Sequence, residues 1–218
     1  MPEPLTCPLC GSGQTRHFHA DGRREYHRCS VCDLVFVPAD FFVSPENEKG
    51  FYDMHENDPH DMAYRQFLSR LFDPMQDRIP EQARGLDFGS GPGPTLSRMF
   101  EEQGHRVALY DPFYAPDESA LHAEYDFITA TEVAEHLHQP AFELERLWSL
   151  LRPAGWLGIM TRRFNPKLYF PDWHYKNDPT HVIFFSDLTF EWLANQWETT
   201  ASFHGADVVL LQKPSKNT

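Results

Sequence analysis

The sequence contains no long apolar run, and positive charge is scarce in it. No stretch of apolar residues approaches the roughly 20 that a membrane-spanning helix needs, which excludes a helical membrane protein. The first six residues, Met-Pro-Glu-Pro-Leu-Thr, also lack the basic and then apolar order of a signal peptide. We therefore expect a cytoplasmic protein that makes no membrane contact.

The shortage of positive charge argues against a nucleic-acid partner. The 218 residues include 19 Lys and Arg against 32 Asp and Glu, so the formal net charge is −13. A field of this sign repels phosphate backbones, although a local basic patch would override the total. The 41% hydrophobic content is sufficient for the core of one ordinary domain with a small appendage.

Cysteine is scarce as well, and its positions are informative. The chain has four cysteines, all within the first 32 residues, as the pairs Cys7-Pro-Leu-Cys10 and Cys29-Ser-Val-Cys32. Two Cys-x-x-Cys pairs at this separation are typical of a zinc ribbon, in which four thiolates hold one structural Zn²⁺. The alternatives are two disulfides or reduced thiols. We predict a zinc ribbon over residues 1–38, built on a hairpin around Asp21-Gly22.

Four glycines fall within the nine residues 85–93, which read Gly-Leu-Asp-Phe-Gly-Ser-Gly-Pro-Gly. The apolar pattern before the turn predicts a buried strand over 83–88, and the proline and glycine that follow predict a helix over 94–103. Glycines in such a turn allow backbone conformations that a side chain forbids. They also let a ligand approach the amide groups at the helix N-terminus.

Two acidic residues accompany this turn. Asp87 precedes Gly89 by two residues, and Asp111 closes the next apolar run, over residues 105–110. An acidic residue at the position of Asp111, after the second apolar run, can bind ribose hydroxyls. At these residues the chain resembles the class I S-adenosylmethionine (SAM)-dependent methyltransferases. The resemblance implies that SAM is held by Asp87, Phe88, Gly89, Ser90, Gly91, Asp111, Pro112 and Glu132.

The resemblance covers residues 40–218 and implies an α/β fold, a Rossmann-like sheet with an antiparallel C-terminal edge hairpin. Only fourteen residues separate Asp111 from Asp126, too few for the family's usual helix, third strand and helix. We therefore expect a sheet without the third strand, which leaves the family's adenine-contacting acid without a counterpart. The predicted domains are the ribbon over 1–38, a linker with N-terminal helices over 39–82, and the methyltransferase domain over 83–218.

Two further helical patterns are expected to pack inward. Residues 62–79 carry apolar side chains at helical spacing, although Pro74 should break or kink that helix. Residues 142–151 should turn Phe142 and Trp148 toward the core. The polar, acidic stretch 46–61 is interpreted as a linker or lid with a short helix.

Methyl transfer needs an acceptor held in line with the methyl group and, for many acceptors, a base. His136 follows the fourth strand and His181 lies in the aromatic segment 170–185 after the fifth, so we predict both as catalytic residues. Trp173, His174, Tyr175 and Asp178 are expected to form, with His181, a pocket for a flat or sugar-like acceptor. The alternative is that the aromatic side chains belong to the core and that residues 178–180 are a helix-capping turn. The run Glu132-Val-Ala-Glu135-His136 also resembles a motif that holds Mg²⁺ in the O-methyltransferases of ubiquinone synthesis. A plain acceptor-site histidine, or a capping or packing role, is the alternative.

Together these patterns predict an enzyme that transfers a methyl group from SAM to a small-molecule acceptor. One alternative is a methyltransferase whose protein or RNA target is recognised through the zinc ribbon, which would then be a surface for a protein partner. A second alternative, motivated by the missing third strand, is a non-catalytic SAM-binding or scaffold subunit.

Overall fold

The structure, a computed structural model, describes residues 5–54, 57–165, 167 and 169–215. The first four residues of the predicted ribbon and the last three of the predicted methyltransferase domain therefore lie outside the described residues. The strands are β1 (Thr15–Ala20), β2 (Glu25–Cys29), β3 (Val35–Phe36), β4 (Arg84–Phe88), β5 (Arg106–Tyr110), β6 (Tyr125–Thr131), β7 (Leu151–Met160), β8 (Ile183–Phe184), β9 (Ala201–His204) and β10 (Val208–Gln212). The helices are α1 (Pro45–Tyr52), α2 (Met62–Gln76), α3 (Thr95–Glu102), α4 (Pro140–Leu150) and α5 (Asp187–Gln196).

A six-stranded sheet forms the larger layer, in the order β5-β4-β6-β7-β10-β9. The first four strands are parallel, and the hairpin of β9 and β10 adds the antiparallel edge. Between β5 and β6 the chain makes an isolated bridge from Asp111 to Ala115 and a 3-10 turn over Glu118–His122. The predicted sheet without its third strand is therefore confirmed, because these few residues cross from the end of β5 to the start of β6 without forming a further strand of the sheet.

Helices cover both faces of this sheet. On one face α2 buries Leu68, Leu71 and Met75, and a Cβ at Gly158 of β7 would lie 2.5 Å from Met75 Cε. The helix continues through Pro74 and ends at Gln76, so the break predicted at the proline does not occur there. None of the helices within the described residues has the length and apolarity needed to cross a membrane.

On the other face α4 buries Leu144, Leu147 and Trp148 against the sheet. Phe142 was predicted to face inward, and this prediction is wrong, since its side chain is 58% exposed. The guanidinium of Arg146 lies 5.3 Å from the Phe142 ring centroid, one helical turn further along. Phe142 therefore packs against a long side chain on the helix surface, and Leu144 takes the inward position.

The N-terminal hairpin belongs to a second sheet with the order β1-β2-β3-β8. Its last strand, β8, comes from the segment that follows β7, and pairs antiparallel with β3. One apolar core contains residues from both parts, for example Tyr26, Phe184 and Leu157. The sheet and the core thus contain residues from both sides of the boundary predicted at residue 38. That this boundary separates two domains stays a prediction.

Arg24 ties the N-terminal sheet to the segment before β8. Its side chain is 6% exposed, and its guanidinium donates to the backbone carbonyls of Lys176, Asp178 and Pro179 as well as to the Tyr26 hydroxyl. A buried cation is tolerated only when its donors are satisfied, and here the carbonyl groups of one turn satisfy them. The turn over residues 176–179 is therefore held in one conformation by a residue of the ribbon.

We expect Arg24→Gln to lower the free energy of unfolding by roughly 2–4 kcal/mol, because several carbonyls lose their donor in a buried setting. Urea unfolding followed by circular dichroism measures the change. Arg23→Gln is the matched control, since Arg23 is exposed and makes one long bond to the Asn177 carbonyl (3.4 Å). A loss for Arg24→Gln no larger than that of this control would show that the turn does not depend on the guanidinium.

Candidate active site

The glycine turn after β4 is bound to the end of β5. The amides of Gly89 and Ser90 donate to the Tyr110 carbonyl (2.7 and 3.3 Å), and the Gly91 amide donates to Asp111 Oδ2 (2.9 Å). Gly89 has a φ of +72°, and a Cβ there would lie 2.3 Å from Val133 Cγ2. Both the backbone conformation and the space at this position require glycine.

Asp111 also organises the turn that follows it. Its Oδ1 accepts from the amides of Phe113 (2.8 Å) and Tyr114 (3.0 Å), while Oδ2 accepts from Gly91. The side chain is 7% exposed. Because each carboxylate oxygen has two acceptor positions, Asp111 retains capacity for a further donor, in an orientation fixed by the backbone.

Asp87 lies beneath the turn and is 4% exposed. Its Oδ1 accepts from Thr129 Oγ1 (3.1 Å) of the neighbouring strand β6. Burial raises the pKa of Asp87 to about 6, with a smaller contribution from the charge of Asp111. Two acidic residues therefore lie next to the turn, Asp87 below it and Asp111 beside it. Cationic or hydroxyl groups of a bound ligand would lower the free-energy cost of burying their carboxylates.

A cavity of about 610 Å³ opens at the carboxyl ends of β4, β5 and β6. It is lined by every residue predicted to hold the cofactor or to act in catalysis, namely Asp87, Phe88, Gly89, Ser90, Gly91, Asp111, Pro112, Glu132, His136 and His181. Two further lining atoms, Ser90 Oγ and Thr131 Oγ1, are buried and have no hydrogen-bond partner among the described residues. Unpartnered hydroxyls of this kind fit the polar groups of a nucleoside and an amino acid, the two parts of SAM.

Beside the cavity, two glutamates accept hydrogen bonds from one tyrosine. Tyr175 donates its hydroxyl to Glu135 and more distantly to Glu132 Oε2 (3.5 Å). Glu135 is fully buried, and its Oε2 has no hydrogen-bond partner in the described part of the chain. Burial, together with the nearby charges of Glu135 and Asp207, raises the pKa of Glu132 to about 8.

The two predicted catalytic histidines lie against each other, with ring centroids 4.7 Å apart. His136 Nδ1 is 3.1 Å from the Thr180 carbonyl, and His181 Nδ1 is 2.7 Å from the Tyr175 carbonyl. Since a carbonyl can only accept, each Nδ1 carries a hydrogen. Burial lowers the pKa of His136 to about 4, so this imidazole is neutral near pH 7 and its Nε2 has a lone pair. His181 Nε2 lies 3.8 Å from Asp178 Oδ2.

The acceptor pocket predicted around His181 is only partly assembled. Asp178 and His181 line the cavity, whereas Trp173 and Tyr175 are buried in the apolar core and His174 is exposed. Sequence reasoning missed Glu48, Tyr52, Glu143 and Arg146, all of which line the cavity. For Glu48 and Tyr52, the acidic and aromatic composition of residues 46–61 was a usable signal. In the structure the Tyr52 hydroxyl donates to Glu48 (2.7 Å), and the Tyr52 ring lies 5.2 Å from the His136 ring.

The four cysteines lie close together, and in the sequence they precede the residues that line this cavity. Cys7 and Cys32 have sulfurs 3.6 Å apart, those of Cys10 and Cys29 are 3.5 Å apart, and all four lie within 4.8 Å of one another. A disulfide would need about 2.05 Å. Tetrahedral zinc with Zn–S bonds of about 2.3 Å separates its sulfurs by about 3.8 Å, so the donor set fits this ion.

A second cluster of potential ligand atoms includes two residues that line the cavity, His136 and His181. It consists of Glu135, His136 and His181, each with one atom within 4.8 Å of the others. This set differs from the predicted magnesium ligands, because His181 takes the place of Glu132. Two imidazoles are poor ligands for Mg²⁺, which prefers oxygen, and the geometry therefore gives the magnesium hypothesis no support.

Comparisons with known proteins agree with these features. A family model described as "Methyltransferase domain" matches residues 54–197, which are 144 of the 218 residues. The ubiquinone biosynthesis O-methyltransferase of Aeromonas salmonicida is 32% identical over 85 residues, which cover 39% of this chain and 36% of that protein. The aligned region thus spans about a third of the length of this curated relative.

Solved structures share the fold. The 1,6-didemethyltoxoflavin-N1-methyltransferase of Burkholderia thailandensis, solved with 1,6-didemethyltoxoflavin and S-adenosylhomocysteine, has a TM-score of 0.54 at 17% identity, covering 92% of this chain and all of that one. A SAM-dependent methyltransferase from Archaeoglobus fulgidus has a TM-score of 0.53 at 15% identity, covering 68% and 94%. These similarities confirm the predicted Rossmann-like methyltransferase fold.

We expect the raised pKa of Asp87 to make stability depend on pH. Because the folded state keeps the proton in a range where the unfolded chain has lost it, the free energy of unfolding falls by roughly 1–3 kcal/mol as the pH rises from about 4 to about 6. Asp87→Asn removes this loss, so the variant should be more stable than the wild type at pH 7.5 and similar to it at pH 4. Urea unfolding at both pH values measures the difference, with the exposed Asp40→Asn as control. A gain that is the same at both values would contradict the raised pKa.

Proposed function

The chain belongs to the methyltransferase-domain family, which confirms the class of enzyme predicted from its sequence, and we propose that it transfers a methyl group from SAM to a small-molecule acceptor. The observation that carries the proposal is the continuity of one cavity, from the glycine turn and Asp111 to His136 and His181. A cofactor at the first end would thus share an enclosed space with an acceptor at the second. Enclosure of both reactants is what an in-line displacement requires.

The residues of the glycine turn would hold SAM. Asp111, with its spare acceptor positions, would receive the ribose hydroxyls, and the unpartnered hydroxyls of Ser90 and Thr131 would bond to other polar groups. Asp87 and Glu132, both buried acids, would become ionised more readily beside the positive charges of SAM. The bound cofactor would supply an electrophilic methyl group on its sulfonium.

A small acceptor is favoured by the side chains around this part of the cavity. The Tyr52 ring of α1 lies 5.2 Å from the His136 ring, and Asp178 and His181 line the same cavity. The names of the Aeromonas and Burkholderia proteins also describe enzymes acting on small molecules. His136 would accept a proton from the acceptor through its free Nε2, and His181, held on the Tyr175 carbonyl, would orient the acceptor.

Titration calorimetry with SAM and S-adenosylhomocysteine tests the proposal. We expect both to bind, and Asp111→Ala to weaken binding by roughly 1–3 kcal/mol because a buried hydroxyl loses a charged acceptor. Asp117→Ala, an exposed acid of the same loop, is the control. If the folded wild type binds neither compound, the proposed function is wrong. Incubating an extract with labelled SAM separates the acceptor classes, since label in precipitated macromolecules would favour a protein or RNA target.

We also propose that Cys7, Cys10, Cys29 and Cys32 hold one structural Zn²⁺. The expected result is one zinc per chain in protein purified without chelator, measured by atomic emission, and less than this in Cys29→Ser. Ser12→Ala, beside the same cluster, should keep the full metal content. Wild-type protein that is folded and free of zinc would refute the site. A protein partner for the ribbon stays a prediction.

The role of His136 is testable once an acceptor is known. We expect His136→Gln to leave cofactor affinity nearly unchanged and to lower kcat by about 10²–10⁴, the usual effect of losing a general base. His181→Gln should raise KM more than it lowers kcat, because it orients the acceptor. If both variants keep full activity, catalysis depends on positioning alone. If brief chelator treatment abolishes activity and Mg²⁺ restores it, the magnesium hypothesis returns despite the geometry.

A further inference from the structure

Part of the cavity is lined by residues outside the glycine turn, and the turn does not explain what these residues bind. The missing third strand leaves β5 at the edge of the sheet, with no strand beyond it in the described part of the chain. The residues that line the cavity include Glu143 and Arg146 of α4, together with Phe88, Tyr110 and Pro112. Helix α4 therefore contributes polar side chains to the space beside the ribose position at Asp111.

The side chain of Arg146 is held over an aromatic surface. The rings of Phe88 and Tyr110 are stacked with centroids 5.5 Å apart, and the guanidinium lies 5.8 Å from each centroid. Arg146 Nη2 is paired with the Glu143 carboxylate. Its Nε is buried and has no hydrogen-bond partner among the described residues. The Nε–H is thus a buried donor that lacks a partner.

Glu143 supplies the complementary group. Oε2 accepts from Arg146, and within the described chain its Oε1 makes no hydrogen bond. The side chain is partly buried on the cavity side of α4, between the buried Leu144 and the partner arginine. A carboxylate acceptor and an N–H donor therefore lie next to each other, one helical turn apart, at the wall of the cavity.

We infer that Glu143 and Arg146 recognise the adenine base of SAM from α4, in place of groups that a third strand would supply. This inference rests on the proposed function, since it assumes that SAM binds in the cavity. One edge of adenine presents an amino donor at N6 beside an acceptor at N1. The Glu143 carboxylate matches the first and the Arg146 Nε–H matches the second. The apolar walls of the same end would cover the faces of the base.

Binding of two cofactor analogues tests this pairing without any methyl acceptor. S-inosylhomocysteine differs from S-adenosylhomocysteine in having a carbonyl oxygen at C6 and a hydrogen on N1, which reverses both hydrogen-bonding positions. By calorimetry we expect the wild type to bind the adenosyl compound at least roughly tenfold more tightly than the inosyl compound. The reason is that in the inosyl compound the C6 oxygen, an acceptor, would face the Glu143 carboxylate, which is also an acceptor. Equal affinities in the wild type would overturn the inference with no variant needed.

Glu143→Gln then assigns the preference to this residue. A glutamine amide can rotate to donate to the C6 oxygen, which removes one of the two mismatches, so the ratio of the two affinities should fall at least about threefold below the wild-type ratio. Glu145→Gln is the matched control, because it makes the same charge change on the same helix while Glu145 accepts from Trp197 Nε1 (3.0 Å). A ratio that stays at the wild-type value in folded Glu143→Gln would overturn the inference. Failure of the wild type to bind either compound would instead refute the proposed function itself.

Discussion

The contact between the glycine turn and the end of β5 is the constraint on which the site depends. Three successive amides of the turn donate to the Tyr110 carbonyl and the Asp111 carboxylate, so two neighbouring strand ends are fixed relative to each other. The same carboxylate holds the next turn through two more amides. Because these bonds join backbone amides to the Tyr110 carbonyl and the Asp111 carboxylate, they do not use the other side chains around the cavity mouth, and those side chains can be chosen for a ligand.

A second constraint links the N-terminal sheet to the acceptor end. Arg24 holds the carbonyls of residues 176–179, and the next residue, Thr180, supplies the carbonyl that orients His136. His181 follows directly and contacts the same imidazole. The N-terminal sheet is thus connected to the two histidines through a single turn of backbone.

Sequence reasoning succeeded where a function depends on neighbouring positions in the chain. The strand, glycine turn and helix of residues 83–103 are local patterns, and the structure reproduces them as β4, the turn and α3. The short spacing from Asp111 to Asp126 correctly indicated the missing strand, since chain length limits topology directly. Reasoning failed for Phe142, because apolar periodicity does not reveal which side of a helix another element will cover.

The sequence by itself indicated the family, the missing third strand, the location of the four cysteines and the residues of the glycine turn, all of which follow from short-range spacing. Only the tertiary structure decided which distant residues meet. It paired β3 with β8, placed Arg24 on the turn before His181, and brought Glu143 and Arg146 of α4 to the wall of the cavity. These contacts join positions far apart in the chain, and they arise from packing of whole elements. No local pattern of residue types encodes them.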